Sequence, residues 1–166
     1  MYTFPYEEQQ KNFPGSVLVF YPYQVSEWII EYKPLPFTKQ RKERKFLVSN
    51  LTKKETSFFE VGMDHLIPFN KQPSHLVLPE RYEEAERDAV GQEFLKNHYM
   101  HRRKVWSYPK MEMTGSFSLY IPYFVYTKTI KGEEKKFIYE LFTGNEDALD
   151  KYKEIKKFLH GQEVIA

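Results

Sequence analysis

Two dense runs of apolar and aromatic residues, each broken by a Pro-Tyr pair, organise the chain. Val17-Leu18-Val19-Phe20-Tyr21 leads through Pro22-Tyr23 and Val25 to Trp28-Ile29-Ile30 and Tyr32. Tyr120-Ile121-Pro122-Tyr123-Phe124-Val125 has the same order, and Gly15-Ser16 before the first run is matched by Gly115-Ser116 before the second. β-branched and aromatic residues at this density predict strands. A proline cannot donate to a ladder, so each strand is expected to lie at an edge, to bulge, or to change partner there.

A return strand follows each run. Lys45-Phe46-Leu47-Val48 ends at Leu51-Thr52, and Lys136-Phe137-Ile138-Tyr139 ends at Phe142-Thr143. In the second copy Lys131-Gly132-Glu133-Glu134 predicts a hairpin turn between Tyr126–Ile130 and Lys136–Phe142, with Gly132 available for positive φ. In the first copy Lys33-Pro34-Leu35-Pro36-Phe37 ends the strand, and the basic stretch 39–45 predicts a longer loop. Residues 1–14 read as an irregular arm. Residues 53–78 read as a connector, with short strands near Phe58–Val61 and His75–Leu78.

Helical spacing appears twice. The first helix is expected over about 79–103, opened by Pro79 and Glu80, Glu83 and Glu84, and closed by the basic residues His101 to Lys104. Tyr82, Ala85, Ala89, Leu95 and Tyr99 share one arc, with Val90 and Phe94 nearly opposite, which predicts a helix between two layers. The second is expected over about 146–160, with Asn145 as N-cap, Leu149, Tyr152, Ile155 and Leu159 on its apolar face, and Gly161 as its stop. The expected fold class is α+β: two related small antiparallel β units, a central helix and a C-terminal helix. They divide at 1–78 and 79–166, or pack as one compact domain.

Composition narrows the chemistry. A chain of 166 residues without cysteine can bury its own core, and has neither disulfides nor thiolate metal ligands. The N-terminal residues lack the basic and apolar regions of a signal peptide, and no apolar run is long enough to span a bilayer. A soluble cytoplasmic protein with no membrane partner is the expectation. The net charge of +2 makes no case for nucleic acid by itself. Aromatics are abundant, with 14 Phe, 13 Tyr and 2 Trp, and they suit either half-buried strands or an exposed binding face. Tyr23, Trp28, Tyr123 and Tyr126 are the candidate contacts for such a face.

Residues 80–147 resemble a PepSY-type domain. The matching pieces are Glu83-Glu84-Ala85 with Ala89, then Tyr120 to Val125, then Phe137-Ile138-Tyr139 ending at Thr143-Gly144-Asn145-Glu146. In the first β unit Lys53 stands where the glycine would be, and Phe142 precedes Thr143 where the family has Asp. The resemblance implies a cystatin-like helix on a small antiparallel sheet. It also implies binding or inhibition rather than catalysis.

The residues themselves show no catalytic signature. Gly-x-Ser-x-Gly and a glycine-rich phosphate loop are both absent. His98 and His101 share a helix face, but no third metal ligand follows from spacing, and a solvated basic helix end explains them better. Asp64-His65 and His75 read as ordinary loop residues. No catalytic residue, metal ligand or cofactor is therefore assigned. The basic clusters carry the strongest functional signal: Arg41, Lys42 and Arg44 in one, Arg102, Arg103 and Lys104 in the other, the latter followed by Trp106 and Tyr108. The expected function is non-enzymatic intracellular binding or regulation of a protein or peptide partner. Nucleic-acid binding through the two basic clusters is the alternative.

Overall fold

The computed structural model describes residues 1–165, with side chains through Gln162. The fold is mixed α+β with a mostly antiparallel sheet. The strands are β1 (Tyr2–Thr3), β2 (Val17–Tyr32), β3 (Arg41–Asn50), β4 (Glu55–Phe58), β5 (Ile67–Pro68), β6 (Leu76–Val77), β7 (Lys110–Ile130), β8 (Glu133–Glu140) and β9 (Asn145–Ala148). The helices are α1 (Glu7–Gln10), α2 (Glu84–Asn97), extended by a π-helical turn over His98–Arg102, and α3 (Lys153–Ile165). Residues group into two compact units interleaved in sequence. The first holds Met1–Pro22, Gly62–Glu80 and Leu119–Ala166; the second holds Tyr23–Val61 and Arg81–Ser118. Each therefore draws on both sides of position 78.

In the second unit, Tyr23–Tyr32 of β2 pairs antiparallel with β3, from Tyr23↔Asn50 to Tyr32↔Arg41, and β4 adds to β3. The stretch 41–45 is thus strand rather than loop. Its charges find cross-strand partners on β2: Lys42 meets Glu31 at 3.0 Å and Arg44 meets Glu27 at 3.0 Å. Trp28, Ile30, Tyr32 and Leu47 form a buried cluster with Leu95, Tyr99 and Val105. That cluster is covered by α2, so the first β meander has a helix of its own.

α2 is shorter than its sequence suggests. Glu83 is extended (φ −61°, ψ 143°), and the amide of Arg81 bonds the carbonyl of Leu51 at 2.7 Å, so the helix starts at Glu84 and not Pro79. Its inward stripe is Gly91, Leu95 and Tyr99, while Ala85, Ala89 and Val90 are exposed. It has one buried face, not two. Gly91 permits the close approach: a Cβ there would lie 3.2 Å from the Trp28 ring.

In the first unit, β1 runs parallel to β7 at Tyr2↔Leu119 and antiparallel to β5, while β6 pairs with the start of β2 at Val19↔Leu76. The N-terminal arm is therefore ordered, not irregular. Thr3 is buried and its hydroxyl donates to the Tyr120 carbonyl at 2.6 Å. Phe13 sits among Phe124, Tyr126 and Tyr139, with ring centroids 4.8–5.5 Å away. Phe20, Phe69 and Tyr120 make a buried cluster beside Tyr6. Aromatic side chains recruit the arm where its polar sequence gives no periodic signal.

The β7–β8 hairpin closes as expected at Lys131-Gly132, both with positive φ (52° and 79°), in a two-residue turn joining Ile130 to Glu133. The C-terminal helix differs from expectation. Gly144 (φ 69°) returns the chain onto β8, so Asn145 and Glu146 become strand β9, with Tyr139↔Glu146 in register. A 3-10 turn over Leu149–Lys151 follows, and α3 starts at Lys153; Gly161 lies inside it.

The β2–β3–β4 and β7–β8–β9 meanders share local geometry. Tyr23↔Asn50 and Tyr123↔Glu140 occupy matching positions after the two prolines. Lys54 (φ 59°) and Gly144 (φ 69°) each donate an amide hydrogen bond of 2.9 Å to the residue that ends the return strand, Asn50 and Glu140. Lys54, rather than Lys53, stands where Gly144 stands.

Gly91→Val is expected to cost about 1–3 kcal/mol by overpacking against Trp28. Gly161→Ala, with open space around it in a helix, is expected to gain about 0.5–1 kcal/mol. Equilibrium urea unfolding of both variants measures the contrast.

Candidate functional site

Two constellations stand out, one in each unit. In the second, the two basic segments converge on Glu43. Its neighbours in register alternate faces: Lys42 and Arg44 point to Glu31 and Glu27, while Glu43 turns toward the π-helical turn. The Tyr32 hydroxyl donates to Glu43 Oε1 at 2.5 Å, and the Tyr99 hydroxyl to Oε2 at 2.5 Å. Arg103 Nη1 donates to Oε2 at 2.5 Å, and Nη2 donates to the Tyr32 oxygen at 2.8 Å. The guanidinium also lies 4.9 and 5.0 Å from the Tyr32 and Tyr99 ring centroids.

This network polarises its members. Partial burial pushes the Glu43 carboxyl up, but hydrogen bonds from Arg103, Tyr32 and Tyr99 outweigh that and hold its pKa at about 2. Burial first, and then the bond to Glu43, raise the Tyr99 hydroxyl. Burial, reinforced by the charges of Arg103, Lys45 and Arg102, lowers His98. The His98 ring packs edge-on against Phe58 at 4.8 Å, and its Nδ1 is buried with no hydrogen-bond partner among the described residues. His101 is exposed, and among the described residues no group of three His, Asp or Glu side chains is placed to hold a metal ion.

The sequence-derived cations fall into two sets. Lys42, Arg44 and Arg103 are ion-paired with Glu31, Glu27 and Glu43. Arg41, Arg102 and Lys104 are exposed, with no ion pair shown among the described residues. Of the candidate aromatic contacts, two are buried and Tyr23 and Tyr126 are half-buried. Trp28 is 2% exposed and its indole donates to Ser26 Oγ; Tyr123 is 5% exposed. Tyr23 accepts a hydrogen bond from Asn50 at 3.1 Å. The Tyr126 hydroxyl donates to Glu146, which Lys128 also engages at 2.7 Å.

The second constellation, in the first unit, is a cleft of about 640 Å³ along α3. Leu149 and Leu159 supply its apolar surface, and Lys136, Lys153, Lys156, Lys157 and His160 its basic surface. Among the described lining residues Asp150 is the one acid, and it is paired with Lys156. Lys153, Lys156, Lys157 and His160 stand at i, i+3, i+4 and i+7, so one helix face carries the basic row. Sequence reasoning followed the apolar stripe of this helix and passed over the cationic one. The same periodicity, applied to charge, would have found it.

Comparison with protein-family models, curated proteins and solved structures finds no match.

Glu43 is held below its ordinary pKa of 4.5, so it contributes stability that is present above that value and is lost as pH falls toward 2. Glu43→Gln is expected to cost about 1–3 kcal/mol at neutral pH, from the lost charge-assisted hydrogen bonds. It should also flatten the decline in stability between roughly pH 4.5 and 2. Urea midpoints collected across that range test both effects.

Proposed function

We propose that the protein is a non-enzymatic binding protein that recognises a short acidic segment of a protein partner, one that also carries apolar side chains. The α3 cleft carries this reading. Its volume of about 640 Å³ falls within the range of ligand sites, and its lining joins leucine surface to a row of basic side chains. Apolar contact would supply affinity, and the lysines would select an acidic sequence and speed encounter. In this reading the two meanders are copies of one PepSY-like unit. Their common register after Pro22 and Pro122, and their matching turns at Lys54 and Gly144, support it.

Nucleic-acid binding is the second reading. It draws support from the convergence of the basic segments around Glu43, which leaves Arg41, Arg102 and Lys104 facing outward. The three paired cations Lys42, Arg44 and Arg103 would have to exchange a carboxylate for a phosphate.

The test uses a fluorescein-labelled peptide with glutamate and leucine at helical spacing, titrated with the full chain and followed by anisotropy. Saturable binding that falls on the order of tenfold or more in Lys153→Glu/Lys157→Glu, and is unchanged in Arg102→Glu, supports the cleft. Absence of binding, or equal loss with a sequence-scrambled peptide, overturns it.

A further inference from the structure

The end of the second unit formed by the β2–β3 loop and the α2–β7 connector is unlike the rest of the surface. Phe37 is fully exposed, and Leu35, Trp106 and Tyr108 are each about 60% exposed. Four large apolar side chains on two adjoining loops would be a liability in a protein surrounded only by water.

These loops are built, not slack. Lys33 accepts amide hydrogen bonds from Trp106 at 2.8 Å and Ser107 at 3.3 Å, and its own amide donates to Ser107 Oγ at 2.7 Å. The Thr38 hydroxyl closes the turn, donating to the Leu35 carbonyl at 2.8 Å and accepting from the Leu35 amide at 3.0 Å. Pro34 and Pro36 fix φ on either side of Leu35. The Glu43 network anchors the base, since Arg103 ties the connector to the strand that leaves the loop.

Charge is segregated to the same place. Residues 33–42 and 101–110 hold eight Lys and Arg and no Asp or Glu, in a chain whose net charge is only +2. Lys42 and Arg103 are committed to Glu31 and Glu43. Lys39, Arg41, Arg102 and Lys104 remain exposed around the apolar tip, with no ion pair shown among the described residues.

We infer that this tip docks the protein onto the surface of an anionic lipid bilayer, with Leu35, Phe37 and Trp106 entering the headgroup–acyl boundary and the ring of cations meeting lipid phosphates and carboxylates. Aromatic and aliphatic side chains on a stiff turn, flanked by Lys and Arg with no acid among them, match the two components of interfacial binding. The contact proposed is peripheral, and no helix among the described residues is long and apolar enough to cross a membrane. A single-stranded nucleic acid fits less well. Bases could stack on Phe37, Trp106 and Tyr108, but that mode gives no role to the exposed aliphatic Leu35 held between Pro34 and Pro36. This inference does not rest on the α3 cleft.

The two tryptophans make the test direct. Trp28 is buried and Trp106 is exposed, so a change in emission on docking reports Trp106. The full chain is mixed with vesicles of phosphatidylcholine and phosphatidylserine, or of phosphatidylcholine alone, at low and at physiological salt. The expected result is a blue shift and quenching by brominated acyl chains with the anionic vesicles, weakened by salt. Co-sedimentation should fall on the order of tenfold in Phe37→Ser and equally in Arg102→Glu/Lys104→Glu. Leu35→Ser serves as a second apolar variant, and thermal melts confirm that each variant folds. Absence of a Trp106 shift with anionic vesicles overturns the inference. So does vesicle binding that ignores both apolar variants, or tight binding of a labelled single-stranded oligonucleotide with no vesicle association.

Discussion

The carboxylate of Glu43 is the point through which the second unit is fastened. It sits on β3, accepts hydrogen bonds from Tyr32 on β2 and Tyr99 in the π-helical turn, and is paired with Arg103 just beyond that turn. Three donors from three segments meet one charge that is only partly exposed. An ionised carboxylate in that setting is tolerable because three charge-assisted or hydroxyl hydrogen bonds offset its partial loss of water. The arrangement also aligns two aromatic rings beneath a guanidinium, adding cation–π attraction to the ion pair. Tyr32 and Tyr99 contribute apolar rings to the core and polar ends to the network, which is why the core cluster can continue to the edge of the sheet.

Much of the architecture was legible in the sequence, and the exceptions share a physical origin. The paired runs around Pro22 and Pro122 announce strands because their β-branched and aromatic content is dense. The Lys131-Gly132 turn is legible because few residues accept its backbone conformation. Segment 41–45 was not, since a fully charged run, four bases around one acid, has no hydrophobic period. It pairs as a strand with β2, where Glu31 stands opposite Lys42 and Glu27 lies diagonal to Arg44. The N-terminal arm was opaque for a related reason. Phe13 is isolated in its own sequence and gains its place only from rings more than a hundred residues away.

The candidate sites show the same division. The basic residues around 41–44 and 102–104 were visible by composition, but which of them are neutralised depends on partners that only the fold supplies. The α3 row lies in the spacing of Lys153, Lys156, Lys157 and His160, which the apolar periodicity of the same helix does not report. Exposure separates Trp106 from Trp28, two residues that composition treats as equal. Charge and aromaticity locate a candidate; burial decides what remains free to act.

The π-helical turn at His98–Arg102 has a consequence for how this surface can change. In that turn the Arg103 amide reaches back to the His98 carbonyl at 3.0 Å, a longer loop than an α-helix closes. The angular position of Arg103 is therefore set by residue count as much as by residue type. Exposed side chains along α2 can be exchanged while Arg103 still meets Glu43. Removing one residue from the turn would rotate the guanidinium by about a quarter turn or more around the helix axis and leave the carboxylate facing an empty approach. Along this segment the number of residues between His98 and Arg103 holds the junction as firmly as their identity does.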